Sequence, residues 1–154
     1  MQSDDVGIIL EWENNRLNWG VSDTKSPFTR QEIKTFVNQE QDIYINQQLR
    51  LMICLNDIEV PIGCVDLFEF DKVNQTAGVG ILIADERQRN KGLAKEALNL
   101  LALYAKDTIN VKQLFCNIDP ENTVSISLFE GCGYLFKGKK EVFDKKVNHY
   151  QLLL

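Results

Sequence analysis

The sequence predicts an α+β domain built on a mixed, mostly antiparallel sheet with helices on its flanks. Three observations carry that prediction. Apolar, β-branched stretches at 49–55, 60–70 and 79–83 follow one another across short polar turns, as in an antiparallel meander. The third stretch runs through a polar turn into a helix with an apolar stripe, over 79–106. A strand at 111–118 then leads to a short helix and a closing hairpin.

The elements can be justified in order. Ser3 is placed to cap a helix starting at Asp4, with acidic residues in its first turn. Val6, Ile9, Leu10 and Leu17 follow helical spacing, and Asn14-Asn15 marks the end. Trp19 to Phe28, with Gly20 and Pro27, reads as loop. Thr29-Arg30-Gln31-Glu32 is a capping box, with Thr29 as the cap and Glu32 reaching back. Ile33, Phe36 and Val37 give the following helix its buried face. Leu49 to Leu55 alternates as a strand does, Asn56-Asp57 turns, and Val60 to Phe70 returns, with Pro61 at its start and a bend at Gly63. Asp71 to Gln75 turns the chain back into Val79 to Ile83.

A polar loop with Arg87, Arg89 and Lys91 follows, and Gly92 and Ala94 open the next helix. Its apolar stripe is Leu93, Ala97, Leu100, Leu101 and Tyr104. The first N–H groups of a helix have no internal partner and carry the positive end of its dipole, so a phosphate can take them. Gly92 and Ala94 leave room for its approach, and three cations add charge. In the strand 111–118, Leu114, Cys116 and Ile118 oppose Lys112, Gln113 and Asn117. Asp119 to Asn122 breaks it, and a helix from Thr123 to Glu130 ends at Gly131 and Gly133. Tyr134 to Phe143 and Val147 to Leu154 close the fold as a hairpin through Asp144-Lys145-Lys146.

The chain has 154 residues and shows no repeat, linker or low-complexity tract, so one domain over 1–154 is expected. Its 44% apolar and 25% charged content is that of a soluble globular protein. No run reaches membrane-spanning length and no signal-peptide pattern opens the chain, so a cytoplasmic enzyme without a membrane partner is expected. A net charge of −5 argues against a nucleic-acid partner and permits a cationic substrate. Cys54, Cys64, Cys116 and Cys132 sit singly in apolar surroundings, and His149 lies far from them in sequence. No metal site is expected, and the cysteines read as small core residues.

Arg89-Asn90-Lys91-Gly92-Leu93-Ala94 resembles the Gln/Arg-x-x-Gly-x-Gly/Ala signature of the GCN5-related N-acetyltransferases. A second stretch matches that family's Asn-x-x-Ser/Ala-x-x-Leu/Ile-Tyr/Phe-x-x-x-Gly-Phe/Tyr. It comprises Asn122, Ser125, Leu128, Phe129, Gly133 and Tyr134. The resemblance implies the acyl-CoA N-acyltransferase fold, whose fourth and fifth strands, here 79–83 and 111–118, splay apart. It assigns the pyrophosphate of acetyl-CoA to Arg89, Asn90, Lys91, Gly92, Leu93 and Ala94. Pantetheine and thioester fall to the backbone of Ile81, Leu82 and Ile83, where an N–H can stabilise an oxyanion. Asn122 is implied as the pantetheine-amide ligand, with Ser125 a further cofactor contact; Asn122 also reads as a helix cap. The acceptor is implied between the first two helices and the splayed strands. Trp12, Trp19 and Phe28 are candidates to line that site, although core is the ordinary role of such aromatics. The family begins with a strand, in whose place this chain has only Met1 and Gln2, so that strand is short or missing.

Two departures bear on mechanism. Many relatives carry a tyrosine acid where this chain has Phe129, which leaves nearby Tyr134 as the candidate acid. Many carry a glutamate base on the fourth strand, where this chain has Ala77-Gly78-Val79. Glu69 is the candidate substitute, with Asp66, Asp85 and a water chain as alternatives. Glu11 to Asn15, Pro27-Phe28 and Lys91 to Ala94 resemble the spermidine/diamine and ribosomal-protein alanine acetyltransferases. The expected activity is acetyl transfer from acetyl-CoA to a primary amine, on a small molecule or a protein N-terminus, by direct attack in a ternary complex. A CoA-binding module without catalysis is the alternative. A nucleoside-triphosphate loop is excluded, because Gly92 is followed by Leu-Ala and not by Lys-Ser/Thr. The resemblance allows a homodimer, which no sequence feature specifies.

Overall fold

Alternating apolar residues and short turns fold the middle of the chain into a meander. Strands β1 (Leu49–Leu55), β2 (Ile58–Asp71) and β3 (Thr76–Ile83) pair antiparallel. β4 (Gln113–Ile118) joins β3 in parallel, and the antiparallel hairpin of β5 (Leu135–Val142) and β6 (Lys145–Leu153) completes the sheet. The strand order is β1-β2-β3-β4-β6-β5. The computed structural model describes residues 1–19, 24–55 and 58–154, with the side chains of all these but Leu17, Ile58 and Glu59. Gly20, the Asn56-Asp57 turn and the inward placement of Leu17 therefore lie outside what is described.

Helices cover both faces of the sheet. Helices α1 (Val6–Asn14) and α2 (Arg30–Asn38) bury Val6, Ile9, Ile33 and Val37 against Met52 of β1. On the other face α4 (Leu93–Asp107) and α5 (Thr123–Gly131) close the larger core, in which Leu67, Val79, Leu98, Leu101, Ala105, Leu114 and Phe129 meet. The capping box at Thr29 forms as its spacing requires: Thr29 Oγ1 accepts from Glu32 N, and the Glu32 carboxylate accepts from Thr29 N at 2.7 Å. A one-turn helix, α3 (Ile43–Asn46), was not expected; Asp42 caps it by accepting from the amide of Tyr44 at 2.7 Å. Four residues are too few to show a period.

Several local expectations are corrected. Ser3 does not cap α1. A short 3-10 turn, Ser3–Asp5, precedes the helix, the Asp5 carboxylate accepts from Gln2 N at 2.6 Å, and Ser3 Oγ donates to Asn38. The buried stripe of α4 is Leu98, Leu101 and Ala105, while Leu100 and Tyr104 are 60% and 39% exposed. Leucine and alanine run almost all round this helix, so more than one stripe has the right period, and the sheet takes the one with the small Ala105. The β5–β6 turn is Phe143-Asp144, both with left-handed φ (50° and 60°), as a two-residue type I′ loop demands. Cys64 and Cys116 are buried in the core, but Cys54 is exposed and Cys132 half-buried. Among the described residues no helix is long and apolar enough to cross a membrane.

Candidate active site

The sheet is open on one side of β3. Its ladder to β4 has three rungs, Thr76–Gln113, Ala77–Leu114 and Gly78–Phe115. Gln75 fastens this closed end: its carbonyl accepts from Lys112 N (2.8 Å) and Gln113 N (3.2 Å), and its Nε2 donates to Asn110 O (3.0 Å). Past Gly78 the strands part. Ile81, Leu82 and Ile83 keep their β2 partners Val65, Cys64 and Gly63, but have no ladder partner towards β4. Gly63 is required here, because a Cβ on it would stand 2.0 Å from Leu82 O. The result is a gap bounded by the free edge of Ile81–Ile83 and by Cys116–Ile118.

The end of β3 delivers the chain to the start of α4. Asn90 and Gly92 both have left-handed φ, 60° and 81°, which for Gly92 only glycine adopts without strain. Gly92 caps the 15-residue helix, and its carbonyl accepts the first helical bond, from Glu96 N at 3.1 Å. The N–H groups of Leu93, Ala94 and Lys95 thus precede the helical ladder. A Cβ on Gly92 would meet nothing within 4 Å, so this corner is open to a ligand. Arg89 holds the turn to the strand, its Nε donating to Ile83 O at 2.9 Å, and Lys91 Nζ donates to Gln88 Oε1 at 3.0 Å. Arg87 is committed to Asp85 through two contacts of 3.0 and 3.1 Å, which hold that carboxyl below its usual range. Anion-directed donors and two cations, Arg89 and Lys91, therefore converge where pyrophosphate was expected.

On the far side of the gap, Asn122 caps α5, its Oδ1 accepting from Ser125 N at 3.1 Å. That leaves the Asn122 Nδ2 group for a ligand. Phe129 is buried, and Tyr134 meets it edge-on with ring centroids 5.0 Å apart. The Tyr134 hydroxyl is buried and has no hydrogen-bond partner. Burial first, and then the Cys116 and Cys132 thiols, push its ionisation far above the usual phenol range. A proton donor works best with a pKa near the operating pH, so the candidate acid is corrected to a core residue. Glu69 is corrected too. It is exposed, sits at a bulge with φ 48°, and lies between Phe68 and Asp71, level with the closed end of the β3–β4 ladder. The pleat breaks at this bulge, so the strand's alternation does not aim it at the gap.

The face of the sheet under α1 and α2 forms the wall of the gap. Arg50 of β1 is held there by two carboxylates: Nε and Nη2 donate to Asp66 at 2.7 and 2.8 Å, and Nη1 bonds Glu13 of α1. The Phe36 ring lies 5.3 Å from its guanidinium carbon. Burial alone would lower the Arg50 pKa, but Asp66, Cys64 and Glu13 outweigh it and raise it. Burial, then Asp66, also pushes the Cys64 thiol up to about 12. Asp66 is thus an ion-pair partner and not a free base. No local spacing announces this cluster, since its members stand 16 and 37 residues apart. Gly78 lies in the stretch 77–79 read as lacking a glutamate, and a Cβ on it would lie 2.3 Å from the Phe68 ring. Of the three aromatics considered for this wall, Trp12 is buried, Trp19 Nε1 donates to Glu13 O at 2.6 Å, and Phe28 is 36% exposed. Asn14 clamps the Phe28 backbone, accepting from its N at 2.7 Å and donating to its O at 2.9 Å.

The sequence profile of the acetyltransferase (GNAT) domain matches residues 1–135. The chain belongs to this family. Its β3–β4 gap is the splay of the GNAT sheet, the feature expected between the family's fourth and fifth strands. An N-acetyltransferase 9-like protein of Nematostella vectensis is 35% identical over 91 residues, 58% of this chain and 46% of that protein. A Dictyostelium discoideum protein of the same name is 29% identical over 149 residues, 93% of this chain and 66% of that protein. The chain thus spans between about half and two thirds of the length of these curated relatives. The crystal structure of a Vibrio cholerae spermidine N-acetyltransferase with CoA and spermine superposes with a TM-score of 0.87 at 23% identity. It covers 99% of this GNAT chain and 92% of its own.

Proposed function

We propose that the protein is an acetyl-CoA-dependent N-acetyltransferase acting on a primary amine by direct attack in a ternary complex. The observation that carries this reading is continuity: Ile81–Ile83, which has no ladder partner towards β4, runs into the helix start at Gly92, where a Cβ would meet nothing within 4 Å. A long ligand with an anionic end and an amide-bearing arm fits both. Bound acetyl-CoA would supply an acyl group activated as a thioester. Arg89, Asn90, Lys91, Gly92, Leu93 and Ala94 take the pyrophosphate, and Ile81, Leu82 and Ile83 pair with the pantetheine arm. Asn122 and Ser125 border that arm from α5. A backbone N–H of Ile81–Ile83 donates to the carbonyl oxygen as charge gathers there. The amine nitrogen bonds to the carbonyl carbon as the C–S bond breaks. The amine gives its surplus proton to water, and the departing thiolate takes one from solvent. The acceptor is a polyamine or diamine, as for the spermidine relative, or a protein N-terminal amine.

The second reading, a CoA-binding module without catalysis, is favoured by Phe129 and by the Phe68 ring over Gly78. Incubation with acetyl-CoA and a panel of amines separates the two. CoA release with an acetylated amine is expected, and acetyl-CoA binding without release across the panel favours the module. Gly92→Trp tests the cofactor corner. A Cβ at this position meets nothing within 4 Å, so the variant is expected to fold, at a backbone cost of about 1–2 kcal/mol for the left-handed φ. Calorimetry should then detect no acetyl-CoA binding; unchanged affinity in the folded variant removes the corner from the site.

A further inference from the structure

On the α1–α2 face, β3 presents no side chain at positions 78 and 80. The gap is walled there by Phe68 of β2 and by Phe115 and Asn117 of β4; the two phenyl rings meet edge-on at 5.8 Å. Asn117 stands two residues past Phe115, the last β4 residue paired to β3, and it is half-buried. Across the other edge of β4 it pairs with His149 of β6. His149 is 3% exposed, and among the described residues it is the buried polar side chain of this fold. Both ring nitrogens are engaged: Nδ1 lies 2.8 Å from Asn117 Oδ1 and Nε2 lies 3.1 Å from Gln151 Nε2.

The direction of these bonds follows from the groups themselves. An amide Nε2 only donates, so Gln151 donates to His149 Nε2 and the ring proton sits on Nδ1, donating to Asn117 Oδ1. Burial, then the Lys140 ammonium of β5, lowers the imidazole pKa and keeps the ring neutral; Phe115, Asn117 and Gln151 around it carry no charge. The carboxamide of Asn117 is therefore fixed with its oxygen turned to β6. The Nδ2 group, on the other arm of the carboxamide, is not taken up by the His149 ring and keeps its N–H donors.

Resting on the transferase reading above, we propose that the acceptor is a peptide-type α-amine, whose neighbouring carbonyl oxygen accepts from Asn117 Nδ2 held in place by His149. Two further observations point the same way. The carboxylates on this wall, Glu13 and Asp66, are spent on Arg50, so the second ammonium of a polyamine finds neither free. Neither Glu69 nor Asp66 is placed as a base at the gap, so attack depends on the acceptor's own neutral fraction. An α-amine titrates at about 7.7–8.0 and an alkylamine such as lysine at about 10.4, so near neutrality the α-amine is neutral roughly several hundredfold more often. His149 is a positioning residue, and Asn117 touches the substrate.

The test compares acetylation of a short peptide amide with a free α-amine, spermidine and propylamine, alongside nitrogen NMR of the chain's single histidine. The expected imidazole is the neutral Nδ1–H tautomer, and kcat/KM should favour the peptide at least about tenfold over propylamine. Asn117→Ala and His149→Leu should raise KM for the peptide about tenfold and cut the preference for the peptide over propylamine by the same factor. His149→Gln, which keeps an N–H donor, should recover part of that selectivity. An Nε2–H tautomer, a preference for spermidine, or equal losses on all acceptors overturns the inference while the transferase reading stands. No CoA release with any amine, in protein that binds acetyl-CoA, overturns both.

Discussion

Tyr134→Phe removes one oxygen from the most enclosed phenol of the site region. The ring keeps its edge contact with Phe129, so packing changes little. The hydroxyl is the substance of the change: Tyr134 is 2% exposed and its oxygen has no partner. A buried unsatisfied polar group costs about 1–3 kcal/mol, and deleting it should return that amount as stability. For a chain of this size 1 kcal/mol moves the thermal midpoint by roughly 2–4 °C, so a rise of about 2–12 °C is expected. Urea unfolding measures the free energy, and an unchanged m-value shows that the same surface is exposed. Turnover of the best acceptor should stay within about twofold, because a lost proton donor would cost about 10²–10⁴. A variant less stable than the parent refutes the orphaned hydroxyl. A hundredfold fall in kcat with stability unchanged refutes the core assignment and returns the phenol to the chemistry.

Other consequences are as open to measurement. Arg50→Ala leaves Glu13 and Asp66 facing one another without their cation and should cost about 3–5 kcal/mol in urea unfolding; a loss under about 1 kcal/mol means the cluster is solvated. Gly78→Ala forces the Phe68 ring aside and should cost about 1–3 kcal/mol, and pairing it with Phe68→Leu should recover most of that; simple additivity refutes the clash. With no enzymic base, kcat/KM for an α-amine should climb about tenfold per pH unit and level off near the acceptor's own pKa of about 7.7–8.0. A plateau well below that pKa reveals a base on the protein.

What the sequence made legible is what the backbone controls. The bounds of β1, the Thr29 capping box and the end of α1 at Asn14 follow from neighbours within four residues, and the structure has them where expected. The turn into α4 belongs to the same class. Gly92 is there for a φ of 81°, and the helix start needs no distant partner. The α4 stripe was not legible, because choosing among faces needs the sheet beneath it. The same holds for the face of the sheet under α1 and α2. Arg50 with Glu13 and Asp66, Phe68 over Gly78, and His149 with Asn117 are contacts between strands or layers. Each residue taken alone reads as an ordinary surface charge, strand aromatic or lone histidine.

The departures that looked like losses of catalytic groups have a common geometric cause. Phe68 covers Gly78, so a side chain cannot stand on that part of β3. Asp66, one step along the neighbouring strand, is turned to Arg50. Neither of those two places therefore holds a free base beside the splay. Such a wall suits an amine that is already neutral at working pH and that carries a hydrogen-bond acceptor for the fixed Asn117 donors. It suits a strongly basic polyamine poorly, since such an amine arrives protonated and brings further charges that Glu13 and Asp66 are not free to meet. The fold is therefore that of the GNAT family, and the proposed acceptor chemistry rests on side chains reaching across strands.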